Sequence, residues 1–246
     1  MDTIIAKLIQ KGEDLLNKPF TPNKFTKEIH IDEKLNDLEN HPHHFVLACV
    51  MDRQIKAERA WKIPYIICER INDHSFNGLQ KLSQDDILRI FRKNSLHRFN
   101  ETMAKCFYNA VQRIHDDYND DASLIWKDNL HSATIVRRFL QFDGIGIKIA
   151  TMATNILARE FKIPMKDKIC IDISPDVQVK RVFTRLGLIS KNASNDELIY
   201  CARELNPNYP GIFDLSAWEI GRESCRPTNP QCNTCILNEK CPKIIN

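Results

Sequence analysis

The last 22 residues constrain this chain more than any other stretch. CRPTNPQCNTCILNEKC places Cys225, Cys232, Cys235 and Cys241 in the spacing C-x6-C-x2-C-x5-C. Four thiolates at such intervals converge on one centre and tie the chain between them into loops. The soft donor set suits a tetrahedral zinc ion or a cubane [4Fe–4S] cluster. Zinc sites usually pair two short CxxC knuckles; one CxxC flanked by single cysteines at intermediate distance wraps a larger object, which favours the cluster. The other five cysteines (Cys49, Cys68, Cys106, Cys170 and Cys201) lie mostly in apolar-periodic segments and read as buried thiols. An odd total of nine, clustered in this way, argues for reduced thiols and against a secreted disulfide framework.

Elsewhere the pattern is helical. Glycine is scarce, at 7 residues, and alternating β-branched runs are nearly absent. Ile4, Ile5, Leu8, Ile9, Leu15 and Leu16 trace the apolar face of a first helix. Residues 45–50 predict a short apolar helix core, and 57–71 a helix that Pro64 kinks or interrupts. Ser83 with Asp86, and Ser194 with Glu197, read as capping-box starts. Further helices are expected over 100–117, 147–161, 175–186 and 213–220. The His41–His44 run, HPHH, reads as a helix entry with solvent-exposed imidazoles rather than a metal site, because Pro42 disturbs regular ligand spacing. The expected fold class is all-α.

Composition excludes little else. A net charge of +3 neither demands nor rules out a nucleic-acid partner, since the distribution of charge decides that. No apolar run approaches the roughly 18 residues that span a bilayer. The N-terminus lacks the apolar core and small-residue cleavage site of a signal peptide. A cytoplasmic location follows as the expectation, nucleoid-associated if the partner is DNA.

The stretch FDGIGIKIAT, Phe142 to Thr151, carries the second constraint. Gly144 and Gly146 permit positive φ and keep side chains away from an approaching ligand. The helix that follows offers free N–H groups and a positive dipole end, so a phosphate can bind there without sequence readout. Taken with the cysteine tail, the stretch resembles the helix-hairpin-helix of the endonuclease III family of DNA glycosylases, within the helix-hairpin-helix-GPD superfamily. That pattern runs apolar, x, Gly, apolar, Gly, x, Lys, x, Ala; Phe142, Gly144, Ile145, Gly146, Lys148 and Ala150 fill it in order.

The resemblance implies a two-lobed fold: a helical barrel lobe over 30–160 ending in the hairpin, and a second lobe from 1–29 and 161–246 around a mainly structural [4Fe–4S] cluster. It implies a monomer acting on double-stranded DNA that contains a damaged base or an abasic site. Gly144, Ile145 and Gly146 would grip the backbone, and Gln54 in VMDRQ would fill the gap left by a flipped nucleotide. Lys148 would form a Schiff base with the sugar, and Asp176 would be its carboxylate partner. An ordinary lysine is almost fully protonated at neutral pH, so burial or a nearby cation is expected around Lys148. Ser174 is expected as N-cap, Pro175 at the first helical position and Asp176 in the first turn; Asp172 is the weaker candidate. Trp61, His97, Arg98 and Tyr108 read as core or solvated face rather than base pocket.

Three departures from the family stand out. Phe142-Asp143 replaces Leu-Pro, which puts an acid near the phosphate site. Gln178 replaces a histidine two residues after the aspartate. The segment between Lys148 and Asp176 is longer than in endonuclease III. The implied activity is excision of a damaged base, oxidised by preference, with β-elimination in base excision repair. A monofunctional mismatch or deaminated-base glycosylase, and a non-catalytic DNA-binding damage sensor, are the alternatives.

Overall fold

The computed structural model describes residues 2–244. Thirteen α-helices account for most of the described residues, and no strand occurs among them, as the helical periodicity demands. The chain packs as two compact units.

One unit comprises residues 20–130 and 137–153. Its helices are α2 (Ile29–Asn36), α3 (Pro42–Met51), α4 (Ala57–Ala60), α5 (Ile63–Ile71), α6 (Phe76–Gln80), α7 (Gln84–Asn94) and α8 (Asn100–Tyr118). It also holds the end of α9 (Ser132–Leu140) and the start of α10 (Ile147–Arg159). All ten residues of α3 are buried, which is the fate of a helix apolar on every side. Helices α2, α5 and α8 pack around it. The helix expected over 57–71 is two helices, because Pro64 lies in the first turn of α5 and cannot continue α4. The Ser83 capping box forms as expected, Ser83 accepting from the Asp86 N–H while the Asp86 carboxylate accepts from the Ser83 N–H.

The other unit comprises α1 (Asp2–Asn17), residues 131–136 and the chain from Thr154 onward. It contains the rest of α10, α11 (Val177–Arg185), α12 (Asn195–Leu205) and α13 (Phe213–Glu223). Leu8, Phe183 and Phe213 are fully buried in its core, which Ile4 joins, and Ile5, Ile9 and Leu16 pack against it. Helices α11 and α13 approach closely at Gly221, where a Cβ would lie 2.8 Å from Cβ of Gln178. The Ser194–Glu197 capping box starts α12. The packing boundaries fall at residues 19/20 and 153/154, and residues 131–136 lie with the N- and C-terminal segments.

Candidate nucleic-acid interface

The hairpin is built by local hydrogen bonding around one anchor. Phe142 is buried and stacks on Tyr118 with ring centroids 6.3 Å apart. Its N–H donates to Phe139 O at 3.1 Å, and its carbonyl accepts the Ile145 N–H at 3.1 Å, which closes the turn. Gly146 O accepts the N–H groups of Ile149 and Ala150, starting α10. The two glycines, which both permit positive φ, serve different ends. Gly144 alone takes it up, at φ +89°, which favours glycine strongly. At Gly146 a Cβ would meet nothing within 4 Å, so its bare backbone faces open space.

That space is an open groove of about 510 Å³ lined by Gly144, Ile145, Gly146, Lys148 and Ile149 from the hairpin and by Asp52, Arg53 and Gln54 from the α3–α4 loop. The sequence-predicted DNA-binding residues and the predicted nucleophile therefore share one cavity. Gln54 is exposed at the loop tip with φ +55°, a left-handed conformation that is unusual for a glutamine. Lys148 is exposed rather than buried as expected, and Arg53 lines the same groove. The acid near the phosphate site is displaced. Asp143 accepts a hydrogen bond from Asn109 Nδ2 at 2.6 Å and lines a separate cavity with Arg113 and Asp117.

Asp176 lies in the other unit, and its placement corrects the expected helix start. It is itself the N-cap of α11, its Oδ1 accepting the Gln178 N–H at 2.8 Å. Ser174 does not cap the helix, because Asp214 claims it: the Ser174 N–H and hydroxyl each donate to the Asp214 carboxylate at 3.2 Å. Burial raises the Asp214 pKa to about 6 despite these donors. Asp172 is committed elsewhere, accepting both Nε (2.7 Å) and Nη2 (2.8 Å) of Arg203, so it is a structural acid.

Helix α11 also holds the cysteine tail. Arg181 Nε donates to Cys225 O at 2.8 Å, and its Nη2 to Gly221 O at 2.7 Å. Buried Arg185 donates from Nη1 to Arg226 O (2.6 Å) and from Nη2 to Pro227 O (3.0 Å), with Nη1 3.5 Å from Cys225 Sγ. The Lys243 N–H donates to Cys241 Sγ at 3.3 Å. Burial, and then the proximity of Cys225, Cys241 and Cys232, push the Cys235 thiol above its usual range, against the Leu237 N–H that lowers it. Four soft sulfur donors near enough to feel one another, with N–H donors aimed at three of them, fit a thiolate-ligated metal centre.

Sequence reasoning missed Arg53 and Asp52, though their adjacency to Gln54 was the available signal; nothing in the sequence pointed to Asp214. Of the four residues read as core or solvated face, Trp61 stacks on Phe25 at 4.4 Å, His97 is buried and Arg98 is exposed. None of these, nor Tyr108, lines the groove.

No protein-family model matches the chain. It is 30% identical over 107 residues to Endonuclease III of Thermotoga maritima, covering 43% of this chain and 45% of that protein. It is 24% identical over 174 residues to the adenine DNA glycosylase of Buchnera aphidicola, covering 68% of this chain and 43% of that protein. The matches thus span less than half the length of either relative. A thermostable thymine-DNA glycosylase superposes with a TM-score of 0.64 at 14% identity, over 98% of this chain and 97% of that one. A non-covalent Endonuclease III–DNA complex gives 0.60 at 19% identity, over 91% and 97%. By sequence the chain is similar to endonuclease III and to adenine DNA glycosylase over part of their length, and by structure it shares the all-helical fold of these solved DNA glycosylases.

Proposed function

We propose that this chain is a DNA N-glycosylase with associated lyase activity, removing a damaged base, oxidised by preference, from duplex DNA in base excision repair. The observation that carries the reading is the groove in which Gln54, the Gly144–Gly146 backbone and Lys148 come together. A DNA phosphate rests on the hairpin backbone at the start of α10, where peptide N–H groups and the helix dipole favour an anion. Gln54 fills the gap in the stack once the target nucleotide has flipped out.

Lys148 Nζ, as a neutral amine, attacks C1′ of the deoxyribose; the C1′–N bond breaks and the base leaves, taking up a proton. Asp176 balances the cationic sugar and accepts the proton released by the attacking amine. Breakage of the C1′–O4′ bond then gives the iminium. Loss of a proton from C2′ expels the 3′ phosphate, and hydrolysis frees the lysine. Lys148 is exposed on the wall of the groove. Cys225, Cys232, Cys235 and Cys241 would hold a [4Fe–4S] cluster, which would supply a structural tie for the tail.

Borohydride trapping on abasic duplex DNA tests the reading. Wild type gives a covalent adduct and Lys148→Ala none; equal adduct from both removes Lys148 from its role. Asp176→Asn retains DNA affinity and loses base release by about 100-fold or more. A panel of single-lesion duplexes identifies the base, oxidised pyrimidines being the expected preference. About four irons per chain and broad absorption near roughly 400 nm report the cluster.

A further inference from the structure

The structure corrects the reading of the HPHH run. It does open a helix, since His41 is the N-cap of α3, but its imidazoles are not solvent-exposed: His43 is 3% and His44 0% exposed. His44 faces Cys68 of α5 and His74 of the loop that follows α5. Each of these three can offer one ligand atom within 4.8 Å of the others. We infer that His44, Cys68 and His74 form a second metal site, separate from the cysteine tail, that takes a tetrahedral divalent ion of the zinc class.

Four observations support it. First, Cys68 Sγ lies 3.7 Å from His44 Nε2. Zinc–sulfur and zinc–nitrogen bonds of about 2.3 and 2.0 Å at tetrahedral angles separate such a pair by about 3.5 Å. Second, the Nδ1 atom of His74 is buried without a hydrogen-bond partner, and an orphaned buried polar atom marks a place that an additional group would satisfy. Third, His74 is oriented as a ligand: its Nε2–H donates to the Glu69 carboxylate at 2.9 Å, which leaves the Nδ1 lone pair for a cation. His43 supports this loop, its Nε2–H donating to His74 O at 3.1 Å. Fourth, an open cavity of about 340 Å³ bordered by His41, His43 and His74 reaches the His74 edge of the cluster.

His41 is not a ligand. The Lys34 ammonium, which can only donate, stands 2.9 Å from its Nε2, so the ring proton lies on Nδ1. Binding replaces the Cys68 thiol proton with the ion and releases that proton to solvent. The ion would tie α5 and its following loop to the N-terminal end of α3, the helix whose other end runs into Asp52–Gln54. The site is independent of the glycosylase reading, since no step of that chemistry passes through it.

Zinc content and zinc K-edge X-ray absorption of the dialysed holoprotein, with its tail cluster intact, test the proposal. The expected result is about one zinc per chain, with one sulfur among light-atom neighbours. Cys68→Ser and His74→Ala should each lower zinc to less than about a tenth per chain, and Glu69→Gln should weaken binding by about 10-fold or more. Cys201→Ser, altered in the other unit, should keep its zinc. His74 lies at the edge of the cluster, so His74→Ala remains informative if Cys68→Ser does not fold, with circular dichroism as the check. Zinc surrounded by four sulfurs, zinc content unaffected by His74→Ala, or a holoprotein that binds neither zinc nor added cobalt(II) each overturns the proposal.

Discussion

The two residues proposed to act on the sugar are presented by opposite means. Lys148 stands on the wall of an open groove, exposed, beside a glycine whose missing side chain borders empty space. Its position follows from short-range hydrogen bonds within one turn and from the burial of Phe142. Asp176 instead caps a helix tied into a buried polar network. Asp214 holds Ser174 two residues upstream, and Arg181 and Arg185 downstream hold the cysteine tail. The hairpin unit keeps space free for a ligand, whereas the other unit fills its space with hydrogen bonds. Substitutions in the first should therefore mainly change binding, and substitutions in the second mainly stability.

The largest expected effect tests the network. Arg185→Ala leaves two carbonyls of the tail loop without their charged donor and should cost about 3 kcal/mol in urea unfolding, with loss of bound iron. A loss below about 1 kcal/mol would remove the arginine from its holding role. Next comes Asp214, whose pKa burial raises to about 6. An acid with a raised folded-state pKa contributes stability that is fully present below about pH 4 and is lost as pH rises through about 6. Wild type should therefore lose up to about 3 kcal/mol relative to Asp214→Asn between pH 4 and 7. Equal pH dependence of the two proteins would show that Asp214 is not the titrating group.

Two glycine substitutions then separate the roles within the hairpin. Gly144→Ala forces a side chain into left-handed backbone and brings a Cβ to 3.3 Å from Cys106 Sγ, at an expected cost of about 1–2 kcal/mol. Gly146→Ala should shift stability by less than about 0.5 kcal/mol, because nothing lies within 4 Å, yet weaken binding to abasic DNA several-fold by obstructing backbone approach. If Gly146→Ala destabilises as much as Gly144→Ala, the contrast between packing glycine and gripping glycine fails.

Much of this was legible in advance where the cause is local. Capping boxes at Ser83 and Ser194 depend on side chains three residues apart, and both formed. The apolar stripe of α1 buries Ile4 and Leu8 as its periodicity requires. The split at Pro64 was visible as an interruption because proline cannot donate to a helix. The cap of α11 was misplaced by two residues for a tertiary reason. Ser174 has the right chemistry for an N-cap, but Asp214, forty residues away, competes for it.

By itself the sequence determined an all-helical chain, four convergent cysteines, and a glycine turn feeding a helix with a lysine on it. These follow from periodicity, ligand spacing and backbone sterics, all of which act over a few residues. Only the tertiary structure decided that Gln54 and Arg53 share a cavity with Lys148, that Asp143 pairs with Asn109, and that His43 and His44 lie inside the protein, His44 against Cys68. Each depends on which surfaces helices bury when they pack, and the pairing of distant surfaces leaves no periodic trace along the chain.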